Sequence, residues 1–180
     1  MSDKINLHDI WPQERDYIAN PERLKYLRRV VKPDKADCVF CLSHQKGMSF
    51  ESLCVYKSKH SMVVLNKYPY NSGHLLIIPQ QHVGDISDLS EEVYLDLSKL
   101  LKLSMEAAKS IYKCPGINVG MNHGKVAGAG IPNHLHWHII PRWSGDTNFF
   151  PIICETKLIP ESLEQTYQNY KTYFEKLSSS

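Results

Sequence analysis

The sequence predicts an α+β fold, an antiparallel sheet of about five strands with one long helix and terminal helices packed on it. Three observations predict it. The run His134-Leu135-His136-Trp137-His138-Ile139-Ile140 alternates polar and apolar residues with the period of a half-buried strand. Residues from Ser90 to Ile111 repeat their apolar positions with the period of a helix. The strand-like pieces between Cys54 and Pro79 follow one another through short turns, and nothing alternates regularly enough for a doubly wound sheet.

Taken in order, Ile10-Trp11-Pro12 to Tyr17-Ile18 reads as an irregular segment whose aromatics pack on the domain. Pro21-Glu22-Arg23 opens a helix carrying Leu24, Leu27 and Val31, and Pro33 ends it. Strands follow at Leu53–Tyr56, Met62–Leu65 and His74–Ile78, with Asn71-Ser72-Gly73 as the turn before the third. Ser90 caps the longest helix, Glu91 and Glu92 suit its first turn, and Pro115-Gly116 stops it. Its buried stripe is Val93, Leu97, Leu100, Leu101, Ser104, Ala108 and Ile111. Ile117–Met121 is a strand, and the glycine-rich stretch from Gly124 to Gly130 is a loop leading into the histidine strand. Glu161–Leu177 is a docking helix with Leu163, Tyr167, Tyr170, Phe174 and Leu177 on one stripe.

A chain of 180 residues with 42% hydrophobic and 22% charged residues has the size and composition of one globular domain. We expect a single domain over 1–180, with a core at about 38–150, an N-terminal extension at 1–37 and a C-terminal helix at about 160–177. A formal net charge of +2 supplies no electrostatic argument for nucleic acid or a membrane surface. No apolar run reaches spanning length, and the polar start Met1-Ser2-Asp3-Lys4 is unlike a signal peptide, so a cytoplasmic location is expected. The odd set Cys38, Cys41, Cys54, Cys114 and Cys154 favours reduced thiols over a disulfide framework.

The strand reading puts all three imidazoles of the histidine run on one face, with Leu135, Trp137 and Ile139 on the other. Adjacent members then lie about 6.6 Å apart at Cα and the outer two about 13 Å apart, so different roles fit better than one three-histidine metal site. A neutral histidine attacks phosphorus once its other ring nitrogen is held as a donor, and His136, flanked on both sides, is the candidate nucleophile. His138 is placed to share a proton with a phosphate oxygen or leaving group. Asn122, Lys125 and the amides of the glycine loop are candidate holders of the non-reacting phosphate oxygens.

This run resembles the motif His-φ-His-φ-His-φ-φ of the histidine triad (HIT) family of nucleotide hydrolases and transferases. The segment Gly73-His74-Leu75-Leu76-Ile77-Ile78-Pro79-Gln80-Gln81-His82 is similar to that family's second signature. The likeness extends from about Cys38 to about Phe150 and implies a HIT-like fold. It further implies that His136 forms a nucleotidyl-histidine intermediate, that His134, His138 and His74 complete the cluster, and that Asn66 binds the ribose. Asn122 matches a position touching the α-phosphate, and a purine nucleoside phosphate is the implied partner. The segments 66–74, 128–133 (including Gly130) and 141–149 resemble the dinucleoside tetraphosphate phosphorylase-like branch, which the segment Ile10–Ile18 matches only in part. Arg142 there either reaches a distal phosphate or is an ordinary surface arginine. The family also implies a homodimer, with the long helix at the interface.

Cys38-Val39-Phe40-Cys41 offers two thiolates at zinc-binding spacing, which by itself leaves open zinc, a pair of buried thiols or a redox pair. Zinc-bearing members of the family pair such cysteines with the residues matching His82 and His134 here. That resemblance implies a structural Cys2His2 zinc site, in which His134 orients the strand instead of moving protons.

Overall fold

Period-two burial divides the sheet into two faces, and that division decides where the histidines go. A computed structural model describes residues 38–146 and 159–179. The expected N-terminal extension with its helix at Pro21–Pro33, the Ile10–Ile18 segment, the stretch 147–149 and Cys154 lie outside the described residues. Strands β1 (Cys54–Lys57), β2 (Ser61–Leu65), β3 (Leu75–Pro79), β4 (Gly116–Gly120) and β5 (Trp137–Arg142) form one sheet in the order β1-β2-β3-β5-β4. Every neighbouring pair is antiparallel. The sheet is flanked by helices α1 (Val39–Lys46), α2 (Glu91–Tyr112) and α3 (Leu163–Ser178).

On one face Val55, Val63, Leu65, Leu75, Ile77 and Ile139 bury themselves against Val93, Leu97, Leu100, Ala107 and Ala108 of α2 and Tyr167, Tyr170 and Phe174 of α3. Each large aliphatic side chain sealed there contributes about 1.5–3 kcal/mol. On the opposite face Met62, Val64, Leu76 and Ile78 pack with Cys54, Cys38 and Phe40. Leu76 pairs with His138 across β3 and β5 while Leu75 pairs with Ile139, so register places His138 on the α1 side.

Helix α2 begins at the cap that the sequence predicts, and α3 opens on a second serine. The Ser90 hydroxyl accepts from the Val93 amide and Ser162 accepts from Gln165. Lys113 ends α2 in a left-handed conformation, just ahead of Pro115. Gly73 is required twice over: its φ is +74°, and a Cβ there would stand 2.6 Å from the Tyr112 ring. Its carbonyl accepts from the Tyr170 hydroxyl at 2.8 Å, tying the turn before β3 to α3.

Four details differ from the sequence reading. Regular pairing of the histidine run starts at Trp137, so His134 and His136 precede the ladder and only His138 lies in it. The reason is a long-range contact: the Leu135 amide donates to the Val83 carbonyl at 2.7 Å, drawing this segment beside the residues that follow β3. Cys38-Val39-Phe40-Cys41 opens helix α1, which the cysteine spacing did not reveal. Leu101 and Ile111 are half-buried edges of the α2 stripe, and Leu177 is exposed at the end of α3. No described helix is long and apolar enough to cross a membrane.

Candidate active site and metal cluster

One hydrogen bond defines the tautomer of His136. Its Nδ1 lies 2.8 Å from the His134 carbonyl, which can only accept, so Nδ1 carries the proton and Nε2 keeps the lone pair. Burial lowers the pKa of His136, opposed by this hydrogen bond, and Phe40 packs against the ring with centroids 5.1 Å apart. The sequence-predicted nucleophile is therefore neutral and oriented.

A second chain of bonds runs through His74 and His138. The Tyr70 amide donates to His74 Nδ1 at 3.0 Å, so His74 is protonated on Nε2 and donates to His138 Nδ1 at 2.9 Å. His138 then carries its proton on Nε2, a buried atom with no hydrogen-bond partner among the described residues. Leaving such a donor unpaired costs about 1–3 kcal/mol, which marks it as a group awaiting an acceptor. The His136 and His138 rings lie 5.1 Å apart, so the lone pair and the orphan donor belong to one site. Burial, then the neighbouring His138 and His136, push His74 down to about 3; burial, then His136, pushes His138 down to about 4. Both are neutral near pH 7.

Asn66 lies against this relay. Its Oδ1 accepts from the Tyr68 amide at 3.0 Å, and its Nδ2 is 3.4 Å from each ring nitrogen of His74. Asn122 is half-buried beside Gly128, while Lys125 and Gly130 are exposed on the same loop. That loop spends two of its amides internally, Gly128 on the Lys125 carbonyl and Ala129 on the Gly124 carbonyl. Arg142 donates through Nε to Asp146 at 2.7 Å and through a terminal nitrogen to Asn118 at 2.5 Å.

Phe40 packs also against His134, and there four donors converge. One ligand atom each from Cys38, Cys41, His82 and His134 lie within 4.8 Å of one another. Cys38 Sγ is 3.3 Å from His134 Nδ1, and Cys41 Sγ is 3.2 Å from His82 Nδ1 and 3.7 Å from His134 Nδ1. A tetrahedral zinc with ordinary bond lengths separates sulfur and nitrogen ligands by about 3.6 Å, so these donors fit the ion. His134 Nε2 donates to the Pro79 carbonyl at 2.9 Å, which leaves Nδ1 as the ligating atom. One Nδ1 lone pair facing two sulfurs is poorly served by thiol hydrogen bonds and well served by a shared cation.

Tyr70, Phe40 and Asn71 contact the histidines and Asp146 contacts Asn71, neighbours that the residue-by-residue reading missed. Tyr70 acts through its backbone and its ring, which lies within 11° of parallel to His138. Side-chain type could not show the first role, since any residue supplies an amide.

The HIT domain family model matches residues 49–145. An AP-4-A phosphorylase of Mycobacterium tuberculosis is 40% identical over 116 residues, covering 64% of this chain and 60% of that protein. A bis(5'-adenosyl)-triphosphatase of Saccharomyces cerevisiae is 42% identical over 89 residues, covering 49% of this chain and 43% of that one. The chain thus spans less than two thirds of the length of these relatives. The solved structure of a Zn-bound histidine triad family protein from Mycobacterium smegmatis matches with a TM-score of 0.64 at 24% identity, over 81% of this chain and 99% of the other, and shows the same fold. Matched by the family model over more than half its length, the chain belongs to the HIT family.

Proposed function

We propose that this chain is a nucleotidyl hydrolase or transferase, cleaving a nucleoside polyphosphate or phosphoramidate at the α-phosphorus through a nucleotidyl-histidine intermediate on His136. The observation that carries the reading is the complementary pair of tautomers, a lone pair on His136 Nε2 beside an N–H on His138 Nε2 that has no partner among the described residues. In the first half-reaction His136 Nε2 forms a bond to phosphorus while the bond to the leaving group breaks. His138 Nε2–H hydrogen-bonds the departing oxygen. In the second, water or another acceptor attacks the same phosphorus, the P–N bond breaks, and the electron pair returns to His136 Nε2. Of the attacking water's two protons, one stays on the released phosphate oxygen and the other passes to solvent.

The neutral His74–His138 pair selects among substrates. A neutral donor stabilises a leaving phosphate, which departs as an anion, better than a leaving amine, which needs a full proton. Dinucleoside polyphosphates are therefore the preferred class, and the likeness to an AP-4-A phosphorylase and a bis(5'-adenosyl)-triphosphatase favours adenine as a base. Asn66 holds the ribose, and Asn122, Lys125 and Gly130 approach the phosphates in this proposal. Arg142 reaches a distal phosphate only by exchanging Asp146 or Asn118 for it.

Zinc belongs to the same proposal, held by Cys38, Cys41, His82 and His134 away from the attacking nitrogen. When bound it supplies a rigid cross-link between α1, the segment after β3 and the histidine run. Reduced thiolates at this site suit the cytoplasm, and a homodimer through α2, where Tyr94 and Leu95 are exposed, completes the reading.

Incubation with diadenosine tetraphosphate, with an acid-quenched search for a nucleotidyl adduct, tests the reaction. Turnover that persists in His136→Ala would sink the mechanism. The likeness to an AP-4-A phosphorylase favours phosphate as a second acceptor. ADP plus ATP formed only when phosphate is added identifies that variant, and binding without turnover of any substrate identifies an idle nucleotide-binding module.

A further inference from the structure

Asp146, at the end of the turn that follows β5, gathers three donors on one oxygen. Its Oδ2 accepts from Arg142 Nε at 2.7 Å, Asn71 Nδ2 at 2.9 Å and the Trp143 amide at 3.1 Å. Asn71 is buried, donates also to the Pro141 carbonyl at 2.9 Å, and through its own carbonyl accepts the His74 amide at 3.3 Å. The segment held in this way, residues 66–74, carries Asn66, the Tyr70 amide that caps His74 Nδ1, and His74 itself.

From this geometry we infer that Asp146 and Asn71 are positioning residues: they clamp the 66–74 segment to the end of β5 so that the Tyr70 amide points at His74 Nδ1, and they thereby set the direction of the His74–His138 hydrogen bond. The direction matters. With Nδ1 of His74 occupied by an N–H, its proton sits on Nε2 and passes the donor role to His138, whose own proton then faces the reacting group. If the segment slackens, His74 Nδ1 is free to take the proton, His74 Nε2 becomes an acceptor, and His138 must turn its proton back toward His74. The site then loses its donor without losing a single catalytic side chain.

Geometry supports a clamp better than a simple surface ion pair. Asp146 is 11% exposed at its side chain, and a carboxylate serving three donors from two chain segments is an over-determined anchor. Arg142 extends the anchor to Asn118 in β4, so the clamp is referred to the rigid sheet. The proposal rests on the functional reading of His74 and His138 given above.

The test uses the full chain in three forms: wild type, Asp146→Asn, and Asn71→Ala, which cuts the link while leaving the turn 143–146 intact. Histidine ring nitrogens are followed by long-range proton–nitrogen spectra without substrate, and turnover of diadenosine tetraphosphate is measured alongside. The expected result is an Nε2–H tautomer for both His74 and His138 in the wild type, tautomer averaging in both variants, and a fall of about 10- to 100-fold carried mainly by kcat. His136 keeps its Nδ1–H signature in all three forms. Unchanged His74 and His138 tautomers in folded variants overturn the proposal. So does failure of both variants to fold, because a clamp that acts only on the 66–74 segment is not required by the sheet. A wild type with the expected tautomers but no turnover of any nucleotide overturns the proposed function and leaves the clamp intact.

Discussion

His134 touches both centres of the site: its carbonyl accepts the Nδ1–H of His136 at 2.8 Å while its own Nδ1 stands 3.3 Å from Cys38 Sγ. A single residue therefore joins the proposed nucleophile to the four-donor cluster. If the proposed zinc is bound there, removing it is expected to loosen the orientation of His136 and lower turnover. Elemental analysis should find about one zinc per chain. Cys41→Ser should lose that zinc and unfold at lower temperature than the wild type, while zinc content unchanged in Cys41→Ser would exclude the cluster as the site.

Loss of the nucleophile is the sharpest prediction. His136→Ala should reduce turnover by roughly a thousandfold or more with the fold intact, since the proposed reaction forms its bond to phosphorus at Nε2. Near-native circular dichroism with turnover within a few-fold of wild type would show that another group attacks.

The relay predicts a graded effect. His74→Ala removes the donor to His138 Nδ1 but leaves His138 in place, so turnover should fall by about a hundredfold, less than for His136→Ala. Steady-state rates of both variants on one substrate preparation decide it, and equal losses would mean that His74 has a role beyond positioning.

Stability should depend on pH in a specific direction. His74 and His138 are pushed down to about 3 and about 4 in the folded chain, below the ordinary value of about 6.5. Below about pH 6.5 the unfolded state binds more protons, so stability is full above that pH and is lost as pH falls toward 4. Each of the two adds about 1.4 kcal/mol per pH unit in that window. Denaturant unfolding at pH 7, 6 and 5 measures the slope; His74→Ala should flatten it, and a slope indifferent to that substitution would assign the acid sensitivity elsewhere.

The turn before β3 should be intolerant of change. Gly73→Ala forces a side chain into the Tyr112 ring at a positive φ, and the expected cost is about 2–4 kcal/mol. Tyr170→Phe removes only the bond to the Gly73 carbonyl and should cost about 1 kcal/mol. Thermal melts of the two variants compare them directly; a Gly73→Ala chain as stable as wild type would mean that Tyr112 moves aside freely.

The sequence by itself determined the pattern: alternation in the histidine run, the long helix capped at Ser90 and stopped by Pro115-Gly116, and the residue types from which an attacking imidazole and a set of soft metal ligands can be made. Those features follow from local periodicity and side-chain chemistry, which act over a few residues and are legible in one dimension. Tertiary structure alone decided what long-range contacts decide. It brought Cys38 and Cys41 to His134 across nearly a hundred residues, pulled His134 and His136 out of the ladder through Val83, and assigned the ring protons through the Tyr70 amide and the His134 carbonyl. It also committed Arg142 to Asp146. Backbone amides and carbonyls are the same at every position, so no reading of side chains could have shown which of them would hold the histidines.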